Sequence, residues 1–445
     1  MAQRLLKASL MSRVRVFMED NSLKKLVRTT GIVLMGNTGA SLLNFVSFTV
    51  MANQLGPKVL ALFVLTQSYT AIVNAIFNVQ TWESMVKFGH SEKSKSAFTN
   101  VVKVNFLLDF FSALIAFSVA LFMAKPSVAF FKWDPAITNL IYLYSLTIPF
   151  TLTSFIIGVP RLFDKFSVIA KIQVCTATLK LSLVLAAAFL DYPITYYITI
   201  YVIAESLNSI LLVFYSLRLL KAKGYSGWLK GKMTYHSQQM KFVWWTNLRS
   251  IMRIPVQLSD MVIISMVMPL ETVGMYKVYK EIASFIGRVG DPVNQAIFPE
   301  YAKLIATNDD KAAISLARKT FLILLALSAV ITLTLILCAN FIIGRLYGTD
   351  FLPLINALYI LLGLHGIGLF TLPVNSLFIA AGFVKMGFYI VVFTNILYLF
   401  TAFFFGKLFG IYGIVAAFGL QMFLNQGLKF ILLKRYRTGW SDIMR

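Results

Sequence analysis

Between residues 249 and 291 the chain sets charged side chains at helical spacing inside segments otherwise apolar enough for lipid. Arg249, Arg253, Gln257 and Asp260 follow at intervals of 4, 4 and 3, which puts them on one face of a helix. Lys277, Lys280, Glu281, Ser284, Arg288 and Asp291 fall close to one face of the next. A charge at the bilayer centre costs about 2.5–3.5 kcal/mol on insertion scales, so such groups turn toward the bundle interior or water. The simplest chemistry is mutual neutralisation. A rise of about 1.5 Å per residue along two antiparallel helices brings Lys277 level with Asp260, Glu281 near Arg253, and Asp291 with Arg288 near Arg249.

Pairing leaves cations over. With Lys171 and Lys180 on an earlier apolar segment, seven basic residues face three acids, Asp260, Glu281 and Asp291. An excess of cations facing water calls for an anion, and a phosphate-bearing substrate fits. Arg249, Arg253 and Arg288 are the best candidates to bind it, because a guanidinium grips phosphate or carboxylate in a two-pronged fork. Lys277, Lys280, Lys171 and Lys180 are the further candidates. Asp260, Glu281, Glu205 and Asp291 are suited to couple transport to a proton or sodium gradient. Milder polar stripes hold Asn37, Ser41 and Asn44, then Gln67, Asn74 and Asn78, then Asn105 and Asp109. His365, in LLGLHGIG, reads as a packing or pore-edge residue. No metal or cofactor is called for.

The elements that must position these residues are membrane spans. Of 445 residues 58% are apolar and 13% charged, and the mean hydropathy is +0.76. That lies beyond soluble domains. A spanning helix needs about 20 mostly apolar residues. Such windows sit at 29–51, 59–80, 104–124, 137–158, 167–189, 194–217, 242–268, 273–297, 320–343, 353–380, 386–406 and 410–433. The fold expected is all-α, with about twelve transmembrane helices.

Lysines and arginines between the windows alternate in number. With the N-terminus inside, 28 fall on inner segments and 5 on outer ones. Short loops obey the positive-inside bias, so both termini are predicted to be cytoplasmic. The net charge of +23 is thereby spread over one membrane face, which argues against nucleic-acid binding. Residues 1–28 lack the apolar core and small-residue cleavage site of a signal peptide. Leu6, Leu10, Val14 and Phe17 stand opposite Arg4, Lys7 and Arg15, the pattern of an amphipathic helix on the inner leaflet. Cys175 and Cys338 fall inside spans, so a disulfide framework is not expected.

The chain also repeats. Residues 135–217 align with 353–435 at an offset of 218, with Pro135 over Pro353, Leu143 over Leu361 and Thr176 over Thr394. Six spans per half make the copies parallel, an arrangement used by transporters with the substrate path between the halves. The predicted organisation is an N-terminal amphipathic helix over 1–28, a six-helix lobe over 29–217, a basic linker over 218–241, a second six-helix lobe over 242–435 and a tail over 436–445. The lobes would surround a central cavity. Proline breaks are expected at Pro149, Pro255 and Pro373.

Motifs for other chemistries are missing. Gly231–Lys232 is followed by Met233 and Gly406–Lys407 by Leu408, so no Walker phosphate loop exists. Zincin motifs, nucleophile elbows and large outer loops are also lacking, which counts against an enzyme.

AIFPEYAKLIATNDDKAAISLARKTFLIL (296–324), RLYGTDFLPLINALYILLGLHGIG (345–368), GKLFGIYGIVAAFGL (406–420) and GNTGASLLNFVSFTVMANQLGP (36–57) resemble the polysaccharide transporter family. This family holds the O-antigen and capsule-unit flippases of the multidrug/oligosaccharidyl-lipid/polysaccharide exporter superfamily. The resemblance covers residues 30–435 and rests on soft Gly, Pro and aromatic positions. It implies a bacterial inner-membrane protein that flips an undecaprenyl-diphosphate-linked oligosaccharide to the periplasmic leaflet by ion-coupled alternating access. It also implies membrane lipid, a polysaccharide polymerase and chain-length machinery as partners. The alternatives are a cation-coupled multidrug exporter of the same superfamily and a membrane enzyme that assembles the polysaccharide.

Overall fold

The computed structural model of the protein describes residues 21–436 except 92–93, 231–232, 235 and 308. The amphipathic helix expected over 1–28 lies outside the described residues but for 21–28, which open the first helix. The tail beyond 436 lies outside them as well. The described residues are helical almost throughout, as the long apolar windows require.

Helix α1 (Asn21–Phe77) holds the first two spans. Its 57 residues would run about 85 Å at helical rise, against a hydrocarbon core of about 30 Å. Gly56, at φ +68°, turns the chain between the two spans, a conformation glycine adopts without the Cβ penalty. Pro57 then starts the second span, where its missing N–H costs nothing.

Helix α2 (Trp82–Ser91) is short, and α3 (Lys95–Phe130) is the third span. The fourth is broken. It comprises α4 (Ala136–Ser145), a 3-10 turn over Ile148–Phe150 containing Pro149, a π-turn over Ser154–Gly158, and α5 (Val159–Leu162). Its two parts are bent by 51°. Helices α6 (Phe166–Phe189) and α7 (Ile194–Ala222) complete the first lobe.

The second lobe opens with α8 (Ser237–Ile251) and α9 (Ile254–Val267), which form one span interrupted at Met252–Arg253, just before Pro255. It continues with α10 (Leu270–Ala306), α11 (Asp310–Leu346), α12 (Ile355–Ala380), α13 (Val384–Phe409) and α14 (Ile411–Tyr436). The break expected at Pro373 is absent, because α12 runs through it as a continuous helix. Membrane helices tolerate such a proline when neighbours supply the lost bonds.

Nine helices among the described residues are long and apolar enough to cross a membrane, or ten with the bent fourth span. One of the nine counts double, split at Gly56, and α10 escapes the test because of its charges. The arrangement is therefore the twelve-helix, two-lobe one that the windows predict.

The lobes meet where α1 packs on α9 and α10. Gly274 makes this approach possible: a Cβ there would lie 2.1 Å from the Pro57 carbonyl oxygen. At the same end Trp133 Nε1 donates to Ser265 Oγ at 2.8 Å, and the Thr49 and Tyr347 hydroxyls lie 2.9 Å apart. At the opposite end the Gln80 N–H donates to Asn247 Oδ1 at 2.7 Å, and Arg249 pairs with Glu83 at 2.6 Å.

Candidate functional site

A cavity of about 710 Å³ opens inside the first lobe, walled by α1, α4, α6 and α7. Ser41, Asn44, Lys180 and Glu205 line it and also line a second space of about 270 Å³ at the boundary between the lobes. There Lys277, Glu281 and Arg288 of α10 complete the wall. The two spaces thus share a wall, and in the one at the boundary three cations face two carboxylates.

The charges are tightly arranged. Glu281 accepts from Lys277 at 2.7 Å, one helical turn earlier, and lies 3.6 Å from Arg288, about two turns later. One carboxylate serves two cations. Lys180, 8% exposed, lies 4.4 Å over the Tyr201 ring and has no carboxylate within ion-pair distance among the described residues. Glu205 takes the Tyr144 hydroxyl at 3.0 Å from each of its oxygens, and Gln67 Nε2 donates to that same hydroxyl at 3.2 Å. Three basic groups, Lys180, Lys277 and Arg288, thus share this wall with the two carboxylates Glu205 and Glu281.

Of the residues picked from the sequence, Lys180, Glu205, Lys277, Glu281 and Arg288 therefore come together. The remaining six do not join them. Lys280, not Lys277, pairs with Asp260, at 2.5 Å, and also donates to the Gln257 carbonyl at 3.1 Å. Asp260 is almost wholly buried, so this pair has the character of a structural bond. Arg249 is 59% exposed and pairs with Glu83 on α2, far along the chain from the Asp291 and Arg288 expected beside it. Glu281 pairs within its own helix and not with Arg253. The departures at Arg249 and Arg253 share a cause: the span is interrupted at Met252–Arg253, so a rise counted along a straight helix misplaces the residues up to the break. Lys171 and Asp291 are exposed and line none of these spaces. Arg253 lines a separate pocket of about 300 Å³ in the second lobe.

Tyr144 and Gln67 carry the Glu205 geometry, yet no sequence signal separates Tyr144 from a packed tyrosine in an apolar span. Gln67 was visible only as part of a mild polar stripe. Asp109, on a similar stripe, is fully buried and accepts from the Thr81 hydroxyl at 2.6 Å, the Thr81 N–H at 3.2 Å and the Ser154 N–H at 2.6 Å. It ties the end of the second span to the π-turn of the fourth. Among the described residues no group of three or more His, Cys, Asp or Glu gathers as a metal site would require.

The two lobes place their pockets at matching positions. Gln173, Ala177, Ala204 and Asn208 line the first, and Val391, Asn395, Met422 and Gln426 line the second, each pair separated by 218 residues. Thr176 bonds Asn208 at 3.3 Å, and its counterpart Thr394 accepts from Asn425 at 3.2 Å. The offset that aligns the sequences thus also relates residues that line the two pockets.

The fold is shared with known transporters. The inward-facing conformation of a multidrug resistance MATE family transporter of the MOP superfamily matches with a TM-score of 0.70 and 13% identity, over 91% of this chain and 96% of that one. The lipid II flippase MurJ, in its inward closed conformation, matches with a TM-score of 0.66 and 14% identity, over 90% and 87% respectively. In sequence, the inner membrane protein YghQ of Escherichia coli (strain K12) is 20% identical over 298 residues, covering 65% of this chain and 84% of its own. Residues 26–305 match the model of the polysaccharide biosynthesis protein family, well over half of the chain, and the protein belongs to that family.

Proposed function

We propose that this multi-pass membrane protein is a flippase that carries an undecaprenyl-diphosphate-linked oligosaccharide across the bacterial inner membrane, with its basic loops and both termini cytoplasmic. The observation that carries the reading is the cavity at the boundary between the lobes, where Lys180, Lys277 and Arg288 outnumber Glu205 and Glu281. A diphosphate brings two negative charges into a region of low dielectric, where a surplus cation binds it more strongly than in water. Glu205 is the candidate for ion coupling, since it is the acid in this cavity without a paired cation within 4 Å among the described residues. Asp260 and Asp291 drop out of that role, the first because Lys280 neutralises it and the second because it lies outside the cavity. A multidrug exporter of cationic compounds would need the opposite balance of charge.

The test is a deletion strain analysed for lipid intermediates. Sugar-bearing lipid diphosphates should accumulate on the cytoplasmic leaflet. Unchanged intermediates with altered drug sensitivity would favour the exporter.

A further inference from the structure

The pocket at Arg253 is chemically unlike the cavity between the lobes. Five carboxamides line it, from Gln257, Asn395, Gln421, Asn425 and Gln426, with Arg253 and the Phe418 ring, and no carboxylate takes part. Its volume of about 300 Å³ sits at the small end of the usual range for ligand pockets, about 300–1,000 Å³.

These groups fall into two sets. Asn395, Gln421 and Asn425 are fixed to the framework. Asn395 Nδ2 donates to the Met252 carbonyl at 2.6 Å, Gln421 Nε2 to Asn395 Oδ1 at 2.9 Å, and Asn425 Nδ2 to the Thr394 hydroxyl at 3.2 Å. The first bond satisfies a carbonyl at the break between α8 and α9, so the interruption of the seventh span is itself braced by the pocket wall. Gln257, Gln426 and Arg253 form the other set. Among the described residues their side chains make no hydrogen bond or ion pair with the protein, and Gln426 Oε1 is buried with its acceptor capacity unmet. Buried polar atoms in folded proteins are paired as a rule, so three neighbouring pocket-wall side chains without a protein partner are free to turn to a ligand group.

The ligand must both donate and accept, because a carboxamide offers an acceptor oxygen and two donor hydrogens. Hydroxyl groups do this, and a sugar presents several on one rigid ring together with an apolar C–H face that suits Phe418. The ionised, esterified phosphates of a lipid diphosphate only accept and would leave the carboxamide oxygens unmet. A cationic ligand would meet Arg253 with no acid to balance it. We infer that this second-lobe pocket is a sugar-binding subsite, in which Gln257, Gln426 and Arg253 bond hydroxyl or acidic groups of the oligosaccharide while the diphosphate lies against Lys180, Lys277 and Arg288. The assignment rests on the flippase reading and divides the labour between the lobes: charge is read at the boundary, and the carbohydrate in the second lobe.

The experiment uses the purified full-length protein in nanodiscs and two probes. One is undecaprenyl diphosphate. The other is the sugar-bearing lipid diphosphate fraction extracted from a strain lacking this chain. Wild-type protein should bind the sugar-bearing fraction about tenfold more tightly than the bare lipid, the worth of one or two net hydrogen bonds. The double variant Gln257→Met, Gln426→Met keeps side-chain volume; it should lose that preference and keep its affinity for undecaprenyl diphosphate, which also reports that it is folded. Lys277→Met with Arg288→Met should weaken both probes together. A double glutamine variant that keeps the preference would overturn the subsite, as would a wild-type protein that shows no preference. A wild-type protein that binds neither probe would overturn the flippase reading, and the subsite with it.

Discussion

Tyr144 holds Glu205 by a hydroxyl 3.0 Å from each carboxylate oxygen, reaching across the first-lobe cavity from α4 to α7. A hydrogen bond to a charged group contributes about 1.5–3 kcal/mol. Tyr144→Phe should therefore cost roughly ten- to a hundredfold in any step that needs an ionised Glu205, with fold and protein level retained. Glu205→Gln should abolish the response of transport to an imposed proton or sodium gradient. The readout is initial transport rate against gradient size in proteoliposomes. Gradient dependence unchanged in both variants would remove Glu205 from coupling.

The pair Lys280–Asp260 predicts a different behaviour. Removing one partner of a buried pair leaves an uncompensated charge and costs about 3–5 kcal/mol, whereas removing both is near neutral. Lys280→Met should lower the amount of folded protein, and Lys280→Met combined with Asp260→Asn should restore it. Fluorescence-detected size exclusion checks this. A double variant no better than the single one would mean that Asp260 has a role beyond neutralising Lys280.

Arg249 is the counter-example. Its bridge to Glu83 is largely exposed, and exposed ion pairs contribute about 0–1 kcal/mol. Arg249→Ala should keep near-normal complementation, while Arg288→Ala should lose it at equal protein level. The reverse order would put the anion site at the other end of the bundle.

Gly274 should tolerate no side chain. A methyl group 2.1 Å from the Pro57 carbonyl oxygen must push α10 off the turn between the first two spans. Overpacking of this kind costs about 1–3 kcal/mol, so Gly274→Ala should lower the thermal midpoint in detergent. An unchanged midpoint would contradict the close approach of the lobes there.

The sequence made the spans legible because each is long and apolar, and even charged α10 was found from the stripe it carries. It also exposed Lys180, Glu205, Lys277, Glu281 and Arg288, since an ionisable group in lipid is costly and so conspicuous. Three things escaped. The register of the seventh span was counted through Pro255, whose local break shifts Arg249 and Arg253 away from the α10 charges they were matched with. Glu83 sat in a segment read as a loop, so the partner of Arg249 was invisible. The neutral carboxamides Asn395, Gln421 and Asn425 give no such signal, because an amide is far cheaper in a membrane helix than a charge, and their convergence appears only when α9, α13 and α14 are packed.

The central claim is that the cations between the lobes carry an anionic lipid-linked sugar across the bilayer, and proteoliposomes test it directly. Purified protein is reconstituted with the extracted sugar-bearing lipid diphosphate fraction in the inner leaflet, and the appearance of sugar on the outer surface is followed with an impermeant oxidant. Wild-type protein should expose the sugar at least about tenfold faster than empty vesicles, and Lys277→Met with Arg288→Met should fall to the empty-vesicle rate, an effect of about 1.4 kcal/mol or more. Exposure by wild-type protein at the empty-vesicle rate, or by the double variant at the wild-type rate, would contradict it.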